Sequence, residues 1–366
     1  EATPGRVNSD AIPDLTPYIA YVPAPEFSVE SGFFSESFEL ELSCSYPGAV
    51  IRYTLDGTEP TAESPVYEEP ILIESRADKP NHYSAKTGIA IYDLPPVKKV
   101  FKGTVVRARA FVSDEIASDI VTHTYFVDED MAERYKLPII SLVTDPVNLF
   151  DYYTGIFMKG KVMSDWLKDN PGAAVDGSTP GNYNQHGMQW EREATITFFE
   201  ADGTVGFTQN VGIRTFGGWS RSNRHKPLRV IARKRYDESD TIEYPVFPGL
   251  VKSGNPSEPL TTFKQILLRS SGNDWESTMM RDALMQSLVE GLGVDTQAYR
   301  PCIVFINGEF WGIYNIREAI NEYYIHDHYG VDFKDIAILE GKSSPYGMEL
   351  YYGVEEDAKE FNDLIE

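Results

Sequence analysis

Residues 211–230 have the sequence VGIRTFGGWSRSNRHKPLRV. Apolar residues alternate with other residues at both ends of this stretch, and such alternation predicts a pair of β-strands. The loop between them holds two adjacent glycines, two serines, two arginines, a histidine and a lysine. Adjacent glycines let the backbone approach a ligand, while hydroxyl, guanidinium and ammonium groups supply donors and positive charge. The stretch therefore predicts two strands joined by an anion-binding loop.

The bulk composition is typical of a globular protein with more than one domain. The chain has 366 residues, of which 42% are hydrophobic and 24% charged, and this length favours two domains. No apolar run approaches the roughly 18 residues that span a bilayer. The formal net charge of -23 argues against non-specific binding to nucleic acid or to anionic membranes. This net charge does not exclude a local basic pocket.

The cysteines and the two ends of the sequence carry less information. Cys44 and Cys302 are far apart in the sequence, so a disulfide between them is not expected, and two cysteines are too few for a zinc site. The sequence starts at Glu1 without a signal peptide, which suggests a processed chain and is no evidence for the cytoplasm. Residues 357–366 predict an acidic helix without a cap. We expect the chain to stop inside a domain.

Two domains are expected to follow a Pro-rich lead-in at residues 1–24. Residues 25–130 contain short alternating segments, such as 38–42 and 105–112, separated by Gly, Pro and Asp turns. This pattern predicts an all-β, immunoglobulin-like sandwich of about 100 residues. We expect the acidic run Asp128-Glu129-Asp130 to end this domain.

Residues 131–366 predict an α+β domain with an antiparallel sheet. Helices are expected near 276–291 and 321–329, and the first of them is inserted between strands. The dipeptide Asn307-Gly308 predicts a type I′ hairpin turn. The expected strands cover residues 139–143, 194–200, 211–216, 228–233, 263–269, 302–306 and 312–316.

The helix near 276–291 contains a charged residue in its apolar stripe. Met280, Leu284, Leu288 and Leu292 share one face of the helical wheel, and Arg281 falls inside that face. An inward guanidinium needs an acceptor, because a buried unpaired charge is costly. Three interpretations stay open: a structural ion pair, an arginine at a ligand site, and an arginine that extends to the domain edge.

The first predicted domain resembles a known module. Residues 51–61, IRYTLDGTEPT, lie at the centre of the segment from about Pro25 to Val127. This segment resembles the chitobiase/hexosaminidase C-terminal-type β-sandwich. The resemblance implies a spacer or glycan-associated module of a secreted or surface protein.

The second predicted domain resembles the CotH (spore-coat protein H) kinase family over about Leu137–Gly341. Four strings in this order carry the resemblance, which implies an atypical protein-kinase-like fold. The strings are residues 212–226, LRSSGNDW at 268–275, MRDAL at 280–284 and FINGEFWGIYNIRE at 305–318.

This resemblance also implies roles for individual residues. Lys226 would be the catalytic lysine on the ATP phosphates, as in other kinases. The helix with Arg281 would occupy the place of the kinase αC helix, with Glu290 as a candidate acid. Residues 317–320 would form the hinge beside the adenine. The residues implied at the nucleotide are Arg214, Gly217, Gly218, Ser220, Arg221, Lys226, Arg281, Glu318 and Asn321.

The sequence departs from the pattern of other kinases in its catalytic motifs. Strings such as His-Arg-Asp and Asp-Phe-Gly are absent, and the family's acidic motifs for Mg²⁺ and the catalytic base lie C-terminal to residues 339–341. We therefore expect a kinase-like domain with a truncated C-terminal lobe and metal ligands beyond Glu366. Phosphoryl transfer needs those ligands, so the chain alone is expected to be inactive.

Two functions are compatible with these patterns. The first is an extracytoplasmic, CotH-like kinase that transfers phosphate from ATP to Ser or Thr of a surface or coat protein, with ATP and Mg²⁺ as cofactors. The alternative is a cell-surface scaffold that binds wall or surface glycan and has a degenerate kinase-like domain. No nucleic-acid partner and no metal site within the chain are predicted, and the two histidines His326 and His328 do not share a helix face.

Overall fold

A computed structural model describes residues 22–341 and 348–365, and it is mostly β with few helices. The chain divides into two compact units. The first unit contains the described residues up to Ser75 together with Gly103–Glu129, and the second contains Arg76–Lys102 and the described residues from Asp130 onward.

The predicted sandwich boundaries, 25–130, need one correction. Residues 76–102 pack with the second unit, although they lie between two strands of the first unit in sequence. A buried carboxylate holds them there: Glu309 accepts hydrogen bonds from the backbone N–H groups of His82 and Ser84, both at 2.7 Å. The segment has a turn-like composition, and nothing in its local sequence indicates a contact with the distant residue Glu309.

The first unit is all β. A four-stranded sheet has the order β2-β8-β7-β5, and small sheets pair β1 with β4 and β3 with β6. Side chains from these sheets, including Leu40, Ile73, Val106 and Tyr125, meet in one apolar core, as in a β-sandwich. The strands are β1 Glu26–Phe27, β2 Gly32–Phe34, β3 Phe38–Leu40, β4 Leu42–Ser43, β5 Val50–Thr54, β6 Ile71–Ile73, β7 Thr104–Phe111 and β8 Val121–Val127.

The second unit contains the remaining strands and the helices. Its strands are β9 Ile139–Val143, β10 Arg192–Phe199, β11 Val205–Thr215, β12 Leu228–Ile231, β13 Ile242–Glu243, β14 Val251–Lys252, β15 Asn255–Pro259, β16 Thr262–Phe263, β17 Gln265–Arg269, β18 Tyr299–Ile306, β19 Glu309–Arg317, β20 Ile338–Gly341 and β21 Met348–Tyr352. Its helices are α1 Met131–Arg134, α2 Pro146–Phe150, α3 Gly160–Asp169, α4 Arg281–Val289, α5 Glu322–Tyr329 and α6 Glu355–Ile365.

Seven of these strands form a closed barrel in the order β10-β11-β12-β17-β19-β18-β9. The neighbours are antiparallel except β9 and β18, which pair in parallel with Ile139 opposite Ile303. The prediction of a purely antiparallel sheet is therefore wrong at this closing pair. The predicted hairpin is confirmed, because Asn307 and Gly308 have φ values of 47° and 80° between β18 and β19.

The apolar stripe of helix α4 is exposed, whereas the sequence predicted that it is buried. Met280, Leu284, Leu288 and Leu292 are 45–71% exposed. The side chain of Arg281 is 67% exposed and lies 3.4 Å from the Asp274 carboxylate. The helical wheel correctly placed these residues on one face. The helix turns its opposite face, which contains the buried Ala283, towards the barrel.

Candidate functional site

The glycine-containing loop connects β11 and β12 of the barrel. Thr215 pairs with Leu228, and the Phe216 N–H donates to the Pro227 carbonyl at 2.9 Å, so the loop starts from a closed strand pair. Gly217 has a φ of +93°, a conformation that favours glycine. Gly218 has open space around its α-carbon. The loop therefore needs a glycine at 217 for its backbone, while 218 leaves room for a ligand.

A cavity of about 330 Å³ lies under this loop. Residues of the β11–β12 loop line this cavity together with Arg269, which carries a guanidinium. The lining residues are Phe216, Gly217, Gly218, Trp219, Ser220, Pro227, Arg269, Gly272 and Asn273.

A second cavity of about 320 Å³ shares Phe216 with the first. It is more apolar and reaches the segment that follows β19, at Ala319 and Ile320. Arg229 gives it positive charge and Glu340 a negative one. Its other lining residues are Leu267, Gln297, Ile338, Leu339 and Tyr351.

Arginines line up on the outer face of the barrel between the two cavities. Arg214 pairs with Arg229, Arg229 with Leu267, and Leu267 with Arg317, so these four side chains lie in one row across four strands. Arg269 is two residues beyond Leu267 and shares its face. We call Arg214, Arg229, Arg269 and Arg317 the arginine face.

Two carboxylates balance part of this charge. Glu191 is buried and lies 3.5 Å from Arg214, while it also pairs with Arg233 at 2.7 Å. Asp282 on α4 pairs with both Arg269 at 3.1 Å and Arg317 at 2.8 Å. Each carboxylate is therefore shared by two guanidiniums, so the charge at the arginine face stays positive.

Arg229 has no carboxylate partner among residues 22–341 and 348–365. Its guanidinium lies over the Phe216 ring, 5.2 Å from the ring centroid. Phe216 lines both cavities and Arg229 lines the second, so Arg229 is a cation beside the residue that the two cavities share.

Lys226 occupies a different environment from the one that the sequence predicted. The side chain is fully buried, and its Nζ atom donates to three carbonyl oxygens, of Ile89 at 2.5 Å, Arg221 at 2.7 Å and Asn223 at 2.9 Å. The ammonium also lies 4.3 Å from the centroid of the Tyr183 ring. Burial lowers the pKa of Lys226 well below its usual value. Lys226 lines neither cavity, so contact with a phosphate stays a prediction that would require these bonds to break.

Segment 84–93, which we call the strap, holds the same loop from the outside. Asp93 pairs with Arg224 at 2.7 Å and accepts from the Ile89 N–H at 3.1 Å. The Ile91 N–H donates to the Ser222 carbonyl at 3.1 Å. The strap thus fixes the half of the loop that does not line the cavity.

Three further predicted residues lie outside the two cavities. Arg221 is buried and donates to the Asn184 carbonyl at 3.0 Å. Asn321 caps α5, where its Oδ1 accepts from the Tyr324 N–H at 3.2 Å. Arg281 is the exposed residue of α4 described above. The barrel therefore brings Gly217, Gly218 and Ser220 together at one cavity but not these three.

Glu318 follows the end of β19 but is turned away from the apolar cavity. Its carboxylate accepts from the Ala298 N–H at 2.9 Å and lies 2.7 Å from Nε2 of His328. Glu318 and His328 are both buried. The neighbours of Glu318 in the chain, Ala319 and Ile320, line the cavity instead.

Sequence reasoning quoted Arg229, Arg269 and Asp282 without giving them a role. Strand parity is the signal that could have found Arg229, since Arg214 and Arg229 are placed symmetrically about the loop. The sequence gives no comparable signal for the register of β17 or for the rotation of α4. The bridge from Asp282 to Arg269 and Arg317 could therefore be found only from the structure.

Neither a metal site nor a membrane helix is found in the part of the chain that the structure describes. No group of three or more His, Cys, Asp or Glu side chains there could hold an ion. None of the helices there is long and apolar enough to cross a bilayer. Cys44 and Cys302 are both free thiols.

Comparisons with known proteins support the CotH resemblance and find a β module in the first predicted domain, while the chitobiase/hexosaminidase resemblance of that module stays a prediction. Residues 213–365 match the CotH kinase protein family model, and residues 40–125 match the Fn3 associated family model. No curated protein matches the chain. The second unit thus carries a CotH kinase-family domain, preceded in sequence by an Fn3-associated β module, and the suspected CotH family is confirmed.

Proposed function

We propose that the second unit binds ATP in these two cavities, which share Phe216. The triphosphate would lie between the Gly217-Gly218 loop and the guanidiniums of Arg229 and Arg269, and the adenine would lie in the apolar cavity against Ile320. The observation that carries this proposal is the arginine face, where cations outnumber their carboxylate partners within a chain of net charge -23. Guanidiniums bind phosphate oxygens through directed, charge-assisted hydrogen bonds.

The proposal assigns different tasks to the two arginines. Within the described ranges, 22–341 and 348–365, no carboxylate pairs with Arg229 in competition with a phosphate, so Arg229 is the principal electrostatic contact. Arg269 is held by Asp282 at 3.1 Å, which fixes its direction beside the loop. The Asp282 pair would take the place of the lysine–acid pair of other kinases, and this assignment competes with the one that sequence reasoning gave to Lys226.

The family implies ATP-dependent phosphoryl transfer, with Mg²⁺ to neutralise charge on the phosphates. The described residues supply the cations and the loop but not a cluster of metal ligands, so no step is assigned to a metal here. The residues of this chain bind and orient the nucleotide. The α+β atypical kinase-like fold, a Ser or Thr acceptor on a surface or coat protein, and an extracytoplasmic location belong to the same proposal and are supported by the family match.

Binding of ATP to the whole chain, measured by calorimetric titration with and without Mg²⁺, tests this function. Arg229→Ala is expected to weaken binding about tenfold, because a hydrogen bond to a charged group contributes about 1.5–3 kcal/mol. Arg235→Ala is the matched control, since Arg235 is exposed on the loop that follows β12. Equal affinities of the two variants, or no ATP binding by the unaltered chain, would overturn the proposal.

A further inference from the structure

A second group of reactive side chains lies at a third cavity, of about 510 Å³, which shares Gln297 with the apolar cavity described above. This cavity is bounded by the β14–β15 hairpin, the end of α4, the segment before β18 and helix α5. Ser253 and His328 are among its lining residues, with apolar walls from Phe247, Leu250 and Val294.

Three polar groups are connected in a line at this cavity. Ser253 is exposed at the tip of the hairpin, and its Oγ atom lies 2.9 Å from Nδ1 of His328. On the other side of the ring, Nε2 lies 2.7 Å from Oε1 of Glu318. His328 and Glu318 are only 3% exposed. The hydroxyl is therefore accessible while its two supporting groups are not.

The hydrogen bonds fix the tautomer of the imidazole. The Ser253 N–H donates to Nδ1 at 3.3 Å, so Nδ1 carries a lone pair and Nε2 carries the proton that it donates to Glu318. A carboxylate in this position stabilises the imidazolium that forms when the ring accepts a proton. His328 is thus placed to take a proton from Ser253.

The environment holds these groups in place. The ring of Tyr324 stacks on His328 with centroids 4.2 Å apart. The second carboxylate oxygen of Glu318 is bonded to the Ala298 N–H. The Tyr324 hydroxyl donates to the Thr296 carbonyl at 2.9 Å and the Tyr329 hydroxyl donates to the Asp295 carboxylate, which fixes both phenols beside the site.

We propose that Ser253, His328 and Glu318 form a nucleophilic site that cleaves carboxylic esters whose acyl group fits the 510 Å³ cavity. Ser253 Oγ attacks the ester carbonyl carbon, and its proton passes to Nδ1 of His328. The C–O bond to the alcohol breaks, and the alcohol leaves with that proton. Water then attacks the carbonyl carbon of the acyl-serine and gives a proton to the same nitrogen. The C–Oγ bond breaks, the carboxylic acid leaves, and the proton returns from Nδ1 to Ser253 Oγ. Glu318 keeps its hydrogen bond to Nε2 of His328 throughout.

Covalent labelling of the whole chain with a fluorophosphonate probe tests the site. The probe forms an Oγ–P bond and releases fluoride, while the serine proton passes to His328, so it reports the nucleophile without needing the natural ester. Peptide mapping by mass spectrometry is expected to find the label on Ser253 and not on Ser257, which is exposed on the same hairpin. Label on both serines alike, or on neither, would overturn the proposal.

Two variants separate an activated serine from an accessible one. Ser253→Ala is expected to abolish labelling and the hydrolysis of p-nitrophenyl butyrate. His328→Gln is expected to slow labelling by about 100-fold, the lower range for a general base. His326→Gln is the matched control on the same helix, where His326 contacts the Val331 carbonyl. If folded His328→Gln labels as fast as the unaltered chain, the proposed base is wrong.

Discussion

The Nζ atom of Lys226 lies 2.5 Å from the carbonyl oxygen of Ile89, although the two residues are 137 positions apart in the chain. This bond ties the strap to the loop that follows β11. Together with the Arg221 and Asn223 carbonyls, it uses the three donors of the ammonium within the protein. In this structure Lys226 therefore anchors the loop, and its contact with a phosphate stays a prediction.

Replacing Lys226 is expected to lower stability more than nucleotide affinity. Lys226→Met leaves three buried carbonyls without their donor, and removing one partner of a buried polar network costs about 3–5 kcal/mol. Chemical denaturation monitored by tryptophan fluorescence measures this loss. Lys234→Met, at an exposed position, serves as the control. A stable Lys226→Met variant that binds ATP tenfold more weakly would instead restore the phosphate role.

The strap is expected to protect the loop from proteolysis. Asp93→Asn weakens the ion pair with Arg224, which is 2.7 Å long and only 8–11% exposed. Trypsin should then cleave after Arg221 or Arg224 at least tenfold faster, because local opening exposes them. Asp78→Asn is the control, since Asp78 is exposed and lies 4.0 Å from Lys99. Equal cleavage rates in both variants would show that the strap does not restrain the loop.

The sequence predicted the framework of the second unit better than its site. Alternation around residues 211–230 correctly indicated β11 and β12, and Asn307-Gly308 correctly indicated the hairpin after β18. These signals are local. The position of Lys226 depends on the strap, which is more than 130 residues away, and no local pattern encodes such a contact.

The rotation of helix α4 about its own axis is a second feature that the local sequence did not predict. The spacing of Met280, Leu284 and Leu288 correctly placed them on one face, but the prediction that this face is buried was wrong. Rotation of a helix is set by what it packs against, and here the Asp282 carboxylate turns towards Arg269 and Arg317. Periodicity gives the face of a helix but not the partner of that face.

Asp282 is expected to be critical for the stability of the arginine face. Asp282→Asn leaves Arg317, which is 1% exposed, without its carboxylate, and we expect a loss of about 1–3 kcal/mol because the Asp282 side chain is itself 38% exposed. Burial lowers the pKa of Arg317, while Asp282 raises it. Urea denaturation measures the change, with Glu290→Gln just beyond the same helix as control. An unchanged midpoint for Asp282→Asn would contradict the inferred bridge.

Asp274 is expected to contribute stability that depends on pH. The Thr278 hydroxyl and the Arg281 N–H lower the pKa of Asp274 to about 2, against an ordinary value of about 3.9. The contribution is thus complete above about pH 3.9 and is lost as the pH falls towards 2. Asp274→Asn should therefore be less stable than the unaltered chain at pH 5, with a gap that narrows towards pH 2.

Denaturant midpoints at several pH values measure this gap. Glu276→Gln is the control, because Glu276 is exposed in the same turn. A gap between Asp274→Asn and the unaltered chain that stays constant from pH 5 to pH 2 would show that the hydrogen bonds to Asp274 do not stabilise its ionised form.

The position of the phosphates is the most direct test of the proposed nucleotide site. A crystal structure of the chain with a non-hydrolysable ATP analogue is expected to show phosphate oxygens within hydrogen-bonding distance of Arg229 and Arg269, below Gly217-Gly218, with the adenine against Ile320. Lys226 should keep its bonds to Ile89, Arg221 and Asn223. Phosphates bound by Lys226, or a nucleotide bound away from the arginine face, would contradict the account.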